Sequence, residues 1–321
     1  MSRMTIGILG GSGFVGSVLA NRLVARGHRV RLFTRARDHA RDCWLLPDTE
    51  VVELDPREQE QYNHGFVGLD AVVNLVGILN ERGDDGTGFR LAHVDIPLRA
   101  AKACKTVDVP HLLHMSALNA DSFAASYYLR SKGEAEKLLQ AESSKRLVVT
   151  IVRPSVIFGP RDDFTNRFAR LLRLVPGVFP LARAEARLQP VYVDDVAEAM
   201  LRCLTDREAA GRRYDLGGPE VLTLGEIVSY LGRVIGRPVR VIGLNDFLSA
   251  VQANVLEYVP GKPFSRDNLR SLSEDSVCAQ ANGLDQLAIK PTSMRVVVPR
   301  YLGGGHLRHR FYAHRTAAGR D

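Results

Sequence analysis

The sequence predicts an α/β protein built on a doubly wound parallel sheet, with a smaller, mostly helical C-terminal lobe. Two observations predict it. Over the first half, short apolar runs alternate with helically spaced apolar stripes. After Pro154 the alternation loosens, and Pro160, Pro176, Pro180 and Pro190 punctuate shorter segments. Strict strand–helix alternation implies parallel strands, right-handed crossovers and helices on both faces. Ligands in such sheets bind at the carboxyl ends of the strands.

The elements follow in order. Thr5 to Leu9 reads as a buried strand. Phe14, Val15, Val18, Leu19 and Leu23 make a helical stripe that Gly27 ends. Further strands are expected at Arg29–Phe33, Val51–Leu54, Asp70–Val76, His111–Met115 and Val148–Val152, with a helix from about Phe89 to Thr106. The domain reading is a nucleotide domain over 1–160 and a cleft lobe over 161–300. About 186–218 of the lobe return to the sheet, and 301–321 form a basic tail. Gly303 to Gly305 read as a flexible joint before that tail.

The first strand meets the first helix at Gly10-Gly11-Ser12-Gly13-Phe14-Val15-Gly16. Gly10 suits a tight turn, Gly13 a close backbone approach to a pyrophosphate, and Gly16 close helix–strand packing, with the phosphates received at the helix start. Strand before and helix after make this a Rossmann-type dinucleotide site. An NAD site usually carries a carboxylate for the ribose diol at the end of the second strand. This chain has Thr34-Arg35-Ala36-Arg37, where Arg35 suits a 2′-phosphate. The expected cofactor is therefore NADPH, with NAD the alternative. Asp55 is expected beside the adenine, and Asn74, Val76 and Gly77 under the ribose.

Tyr128 and Lys132 stand at i and i+4 on one helix face. A cation there favours phenolate and makes the tyrosine a usable acid or base. Ser116, ending the fifth strand, suits a substrate carbonyl. Together they read as Ser–Tyr–Lys proton chemistry beside a nicotinamide; the alternative is that Tyr128 and Lys132 only hold cofactor ribose. Tyr127 points to another face. In the lobe, Phe164, Phe168, Leu171, Leu172 and Leu174 alternate with Arg167, Arg170 and Arg173. This pattern suits an apolar substrate with a polar or anionic head, or an ordinary core stripe.

Composition narrows the class further. The chain has 321 residues, 45% of them hydrophobic, and a net charge of +7. Neither a signal segment nor an apolar run of bilayer length is apparent, so cytoplasmic residence is expected. Cys43, Cys104, Cys203 and Cys278 are scattered and read as buried thiols. His306, His309 and His314 lack a completing carboxylate or thiol, so no metal site is expected. Arg295, Arg300, Arg308, Arg310, Arg315 and Arg320 give the end of the chain its charge. That charge is either simply solvated or a patch for an acidic protein partner or the anionic inner-membrane surface. No nucleic-acid motif accompanies it.

The glycine turn, Tyr128-x-x-x-Lys132 and Arg153-Pro154-Ser155-Val156-Ile157-Phe158-Gly159-Pro160 resemble the extended and atypical short-chain dehydrogenase/reductases. The resemblance places Pro154 and Val156 beside the cofactor. His114 to Ala120, Tyr128 to Glu136, Gln189 to Val196, Phe264 to Asn268 and His309 to Tyr312 are similar to the dehydrogenase-like accessory subunits of respiratory complex I (alpha subcomplex subunit nine) and their bacterial stand-alone relatives. That resemblance implies this fold, tightly held NADPH, a structural accessory role near the quinone end of complex I for the mitochondrial members and, for some members of the family, a link to quinone metabolism. One departure is His93, near the place where extended members often carry an asparagine that supports a proton relay. A histidine there can relay protons too, or it can mean that full catalysis was never needed. Three functions follow: an NADPH-dependent oxidoreductase, a cofactor-stabilised accessory module of a membrane complex, and an NAD-dependent sugar-nucleotide epimerase or dehydratase. Arg35 and the C-terminal match weigh against the third.

Overall fold

The computed structural model describes residues 3–303, apart from 44, 82, 176, 260 and 261. The tail from 304 onward, with His306, His309, His314, Arg308, Arg310, Arg315 and Arg320, lies outside the described residues, as do Gly304 and Gly305 of the expected joint.

The first half runs β1 (Thr5–Leu9), α1 (Phe14–Ala25), β2 (Arg29–Thr34), β3 (Thr49–Glu53), α2 (Gln59–Phe66), β4 (Ala71–Asn74), α3 (Thr87–Arg90), α4 (Ile96–Thr106), β5 (His111–Met115), α5 (Tyr127–Glu142) and β6 (Val148–Pro154). The second half runs β7 (Ile157–Phe158), α6 (Thr165–Leu174), β8 (Val178–Ala182), β9 (Arg187–Leu188), β10 (Val191–Tyr192), α7 (Val193–Thr205), β11 (Arg213–Leu216), β12 (Leu222–Thr223), α8 (Leu224–Val234), β13 (Arg240–Leu244), α9 (Asp246–Glu257), α10 (Arg266–Ser271), α11 (Gly283–Gln286) and α12 (Met294–Leu302).

Seven strands form one parallel sheet in the order β11-β6-β5-β4-β1-β2-β3. The chain leaves β1 toward β2 on one side and returns through β4 on the other. The carboxyl ends of β1 and β4 therefore flank the crevice at which such sheets bind ligands. Alternating burial on both faces explains the apolar runs: β4 and most of β1 and β5 are fully buried. One face packs under α1 and α7 through Ile6, Ile8, Leu19, Leu23, Val196 and Met200. The other packs under α2, α4 and α5 through Phe33, Phe66, Leu112 and Leu139. Residues of the second half thus complete the first half's sheet and one of its cores. A third core, around Phe158, Leu172, Ile227 and Val298, belongs to the lobe. The lobe mixes helices with three two-stranded sheets, β10–β7, β12–β9 and β13–β8.

The expected single helix from Phe89 to Thr106 is interrupted. Residues Leu91–Asp95 form a wider π-helical turn in which the Ile96 N–H reaches the Leu91 carbonyl. Pro97 explains the break, because it cannot donate to the carbonyl four residues earlier and its ring crowds that carbonyl. Cys43, Cys104 and Cys203 are buried and Cys278 is half-buried, and no disulfide joins them among the described residues. Among the described residues no helix is long and apolar enough to cross a membrane.

Candidate dinucleotide and substrate site

The glycine turn has the shape its composition implies. Gly10 takes φ +75°, and a Cβ there would lie 3.1 Å from the Leu75 backbone. A Cβ on Gly16 would lie 2.6 Å from the Gly10 carbonyl oxygen, so only glycine lets α1 start this close to β1. The Gly13 N–H closes the turn onto the Gly10 carbonyl at 3.0 Å. No side chain caps α1 and its first turn carries no carboxylate. Its unpaired N–H groups and positive dipole end therefore face outward, suited to an anion. Val15 is buried in the core and Phe14 is half-buried against Gly159. Arg161 also reaches this turn, with Nη2 donating to Ser17 Oγ at 2.5 Å.

At the carboxyl end of β2, Arg35 and Arg37 are exposed and Thr34 is buried. Thr34 shapes the turn, its hydroxyl donating to the Ala36 carbonyl at 2.9 Å. The Arg37 N–H donates to Glu53 Oε1 at 2.9 Å, so the end of β3 holds the arginine turn in place. No ion pair engages the Arg35 side chain among the described residues. Asp55 follows β3 and is exposed, with Oδ1 accepting from the Arg57 N–H at 2.9 Å.

Around Tyr128 the structure gathers a polar cluster. Lys132 is buried and its ammonium donates to the Met115 carbonyl at 2.9 Å. Burial lowers its pKa to about 8, with Glu136 opposing. Asn74 is fully buried. Its amide donates to His114 Nδ1 at 2.9 Å and its oxygen accepts from the Val76 N–H at 3.3 Å. Asn74 therefore fixes the loop to Gly77 and spends its polar atoms inside the protein. Gly77 is exposed, and a Cβ on it would lie 3.5 Å from the Lys132 ammonium. Ser116 Oγ and His114 Nε2 are buried without a hydrogen-bond partner among the described residues. Unpartnered polar atoms at such a place suit a ligand that completes them.

His93 sits in the π-helical turn. Its Nε2 accepts from the Ile78 N–H at 3.0 Å and its Nδ1 lies 2.8 Å from Ser131 Oγ. Ser131 gives its own proton to the Tyr128 carbonyl, so Nδ1 carries the histidine proton. Both ring nitrogens are occupied. Burial first, then Lys132 and His114, push the His93 pKa down to about 2. In this arrangement His93 clasps the 77–78 loop to α5, with no nitrogen left for a relay.

The expectation that Lys132 lowers the Tyr128 pKa is not met. Burial pushes the phenol up to about 12, while the Lys132 ammonium is turned to the Met115 carbonyl. Tyr128 packs edge-on against His93 and Phe89, and it lines a cavity of about 330 Å³. Pro154 and Val156 line it too, and Ala117 to Asn119, not Ser116, carry the end of β5 into its wall. Much of the remaining wall is apolar, with Phe164 just before α6, Phe168 and Leu171 from α6, Phe179 from β8 and Leu256 from α9, and polar side chains such as Asn80, Asp163, Gln252, Asn268 and Glu274 line it as well. Arg167 lines it beside them and donates to the Pro263 carbonyl at 3.0 Å. Leu172 instead joins the lobe core, and Leu174 is 79% exposed.

Sequence reasoning missed three supports of this site. Asp267 of α10 is buried and caps α5 from the lobe, accepting from the Tyr127 N–H at 2.6 Å and the Tyr128 N–H at 3.1 Å. Glu81 accepts from the N–H groups of Gly86 and Gly88 at 2.7 and 2.9 Å and so starts α3. Glu53 holds the arginine turn. A carboxylate capping a helix from a distant segment has no local signature. Tyr127 lies between the guanidinium groups of Arg130 and Arg270, away from Lys132.

The sequence profile of the NAD dependent epimerase/dehydratase family matches residues 6–217. The chain is 27% identical over 295 residues to mouse NADH dehydrogenase [ubiquinone] 1 alpha subcomplex subunit 9, mitochondrial, covering 90% of this chain and 77% of that protein. It is also 27% identical over 280 residues to (4-alkanoyl-5-oxo-2,5-dihydrofuran-3-yl)methyl phosphate reductase of Streptomyces griseus, covering 86% and 88% of the two chains. Among solved structures, UDP-glucose 4-epimerase of Thermus thermophilus in complex with NAD superposes with a TM-score of 0.65 at 20% identity, over 94% of this chain and all of that one.

Proposed function

Because this chain belongs to the NAD-dependent epimerase/dehydratase family, we propose that it is an NADPH-dependent reductase acting on a carbonyl compound with an apolar body, quinones included. The observation that carries this reading is Tyr128 opening onto a 330 Å³ cavity walled by phenylalanine and leucine.

The residues present fit a dinucleotide. The glycine turn leaves room where any Cβ would collide, and the free first turn of α1, with Arg161 beside it, suits the pyrophosphate. Arg35 suits the 2′-phosphate, and no carboxylate takes its place at the end of β2. Lys132 and the Gly77 backbone suit the ribose. A bound nicotinamide supplies the hydride. Tyr128 supplies the proton: a phenol held near pKa 12 stays protonated at neutral pH, which suits donation to a substrate oxygen. Ser116 Oγ has no hydrogen-bond partner among the described residues, but it is buried behind Ala117 and outside the cavity wall, so it would reach that oxygen only if the bound ligands open a path to it. The apolar part of the wall, with Phe164, Phe168, Leu171 and Phe179, favours an apolar group over a sugar. It suits an alkyl or polyprenyl chain, and the name of the Streptomyces relative describes an alkanoyl substrate with a phosphate head.

A second reading is an accessory module of a membrane complex, favoured by the complex I relatives. There NADPH would stabilise the folded state without turnover, and the basic tail would meet an acidic subunit or lipid. NADPH oxidation, followed with 2-alkanones and alkylated benzoquinones of increasing tail length and with UDP-glucose as control, separates the readings. The reductase reading expects rates that rise with tail length and vanish in Tyr128→Phe at unchanged circular dichroism. Stoichiometric NADPH with no turnover on any of these probes would favour the accessory module. Epimerisation of UDP-glucose would refute both.

A further inference from the structure

Besides His114 Nε2 and Ser116 Oγ, two more buried oxygens, Asn80 Oδ1 and Ser271 Oγ, have no hydrogen-bond partner among the described residues. Unlike the first pair, both belong to residues that line the 330 Å³ cavity. They lie on two distant segments that the fold brings together at the Tyr128 end. Ile78, two residues before Asn80, gives its N–H to His93, whose ring packs edge-on against Tyr128. Asp267, one turn before Ser271 on α10, accepts the Tyr128 N–H. Asn268, which also lines the cavity, ties the segments by donating to the Leu79 carbonyl at 3.4 Å. The Asn80 amide N–H donates to the Lys262 carbonyl at 3.4 Å, which leaves its oxygen as a pure acceptor. A buried polar atom left unpaired is costly, and two at one end of one cavity mark a place that a ligand completes.

We propose that Asn80 and Ser271 form a subsite for a hydroxyl carried by the substrate beside its reacting carbonyl, so that the substrate class is an apolar α-hydroxy ketone. The Asn80 oxygen needs a donor, which an ether, an ester or a second carbonyl does not supply. A hydroxyl donates to Asn80 Oδ1 and accepts from Ser271 Oγ, and it serves both without bringing a charge into a largely apolar cavity. Both oxygens are closed to solvent, so binding requires the two side chains to turn toward the cavity they line, which for Ser271 is a single rotation about χ1. The reacting carbonyl rests on the reductase reading; the hydroxyl subsite does not.

The test is calorimetric titration of the full chain with 1-hydroxy-2-octanone and with 2-octanone, no nucleotide being added, so that turnover plays no part. The wild type is expected to bind the hydroxy ketone at least about tenfold more tightly, equivalent to about 1.4 kcal/mol. Asn80→Leu and Ser271→Ala are each expected to reduce that preference to less than about threefold. Ser271→Ala should melt where the wild type does, because the hydroxyl bonds nothing in the protein. It therefore keeps the test decisive even if Asn80→Leu, which loses the tie to Lys262, fails to fold. Equal affinity of the wild type for the two ketones, binding of neither, or a preference undiminished in the variants would overturn the proposal. So would a markedly lower melting temperature of Ser271→Ala, which would give that hydroxyl a structural role. NADPH oxidation with the same two ketones is read separately. A binding preference without turnover would keep the subsite and remove the reductase reading. Turnover of both ketones with equal kcat/KM and equal affinity would keep the reductase and remove the subsite.

Discussion

Acidification should destabilise this protein through its buried histidines, two of them in the candidate site. His93 and His114 are fully buried in the Tyr128–Lys132 cluster, and His111 is nearly so at the start of β5. Burial lowers the pKa of His93 to about 2 and of His111 to about 4. It holds His114 well below the ordinary range, with Lys132 adding to the effect. In the unfolded chain all three titrate near 6.5. The unfolded state therefore binds more protons below pH 6.5, and stability falls as pH falls. Each group contributes roughly 1.4 kcal/mol per pH unit below 6.5, so three groups cost about 4 kcal/mol at pH 5.5. That is a large share of the roughly 5–15 kcal/mol typical of a domain. Asp195 and Asp267, held above the ordinary carboxylate range by burial, act with the opposite sign at the acid end. Urea unfolding followed by circular dichroism from pH 7.5 to 5.5 reads the slope directly. His93→Gln should lower overall stability yet reduce the slope by about a third. A flat profile, or an unchanged slope in the variant, would refute the reasoning.

Two further substitutions test the supports of the site. Gly16→Ala places a Cβ 2.6 Å from the Gly10 oxygen. It should cost about 1–3 kcal/mol in urea unfolding and weaken NADPH in fluorescence titration by more than tenfold; unchanged affinity would contradict the cradle. Asp267→Ala strands two N–H groups at the start of α5 and should destabilise by about 2–4 kcal/mol. Asp267→Asn, which keeps an acceptor, should recover part of that loss. Equal losses in the two variants would contradict the capping role.

The parallel sheet, its glycine turn and the placing of Tyr128 with Lys132 on one helix were legible because each rests on local spacing. Thr5–Leu9 followed by Gly10, Gly13 and Gly16 needs no distant partner to be interpreted. The supports at Asp267, Glu81 and Glu53 were not legible, because each carboxylate serves N–H groups that only the folded chain brings near. The Tyr128 pKa was misjudged for a related reason. Spacing shows that a lysine is near, but not that its ammonium turns to the Met115 carbonyl while the phenol loses water. The arginine-and-leucine pattern of α6 left two readings open, and the structure divides it: Phe164, Phe168 and Leu171 face the cavity, whereas Leu172 is core.

The proposed reductase requires NADPH in the glycine turn with its 2′-phosphate on Arg35. Cofactor-free full-length protein titrated with NADPH and with NADH, wild type beside Arg35→Ala, tests this most directly. NADPH should bind the wild type at least about tenfold more tightly than NADH, and Arg35→Ala should abolish that preference while leaving NADH nearly unchanged. Equal affinity for the two nucleotides, or equal weakening of both by Arg35→Ala, would contradict it.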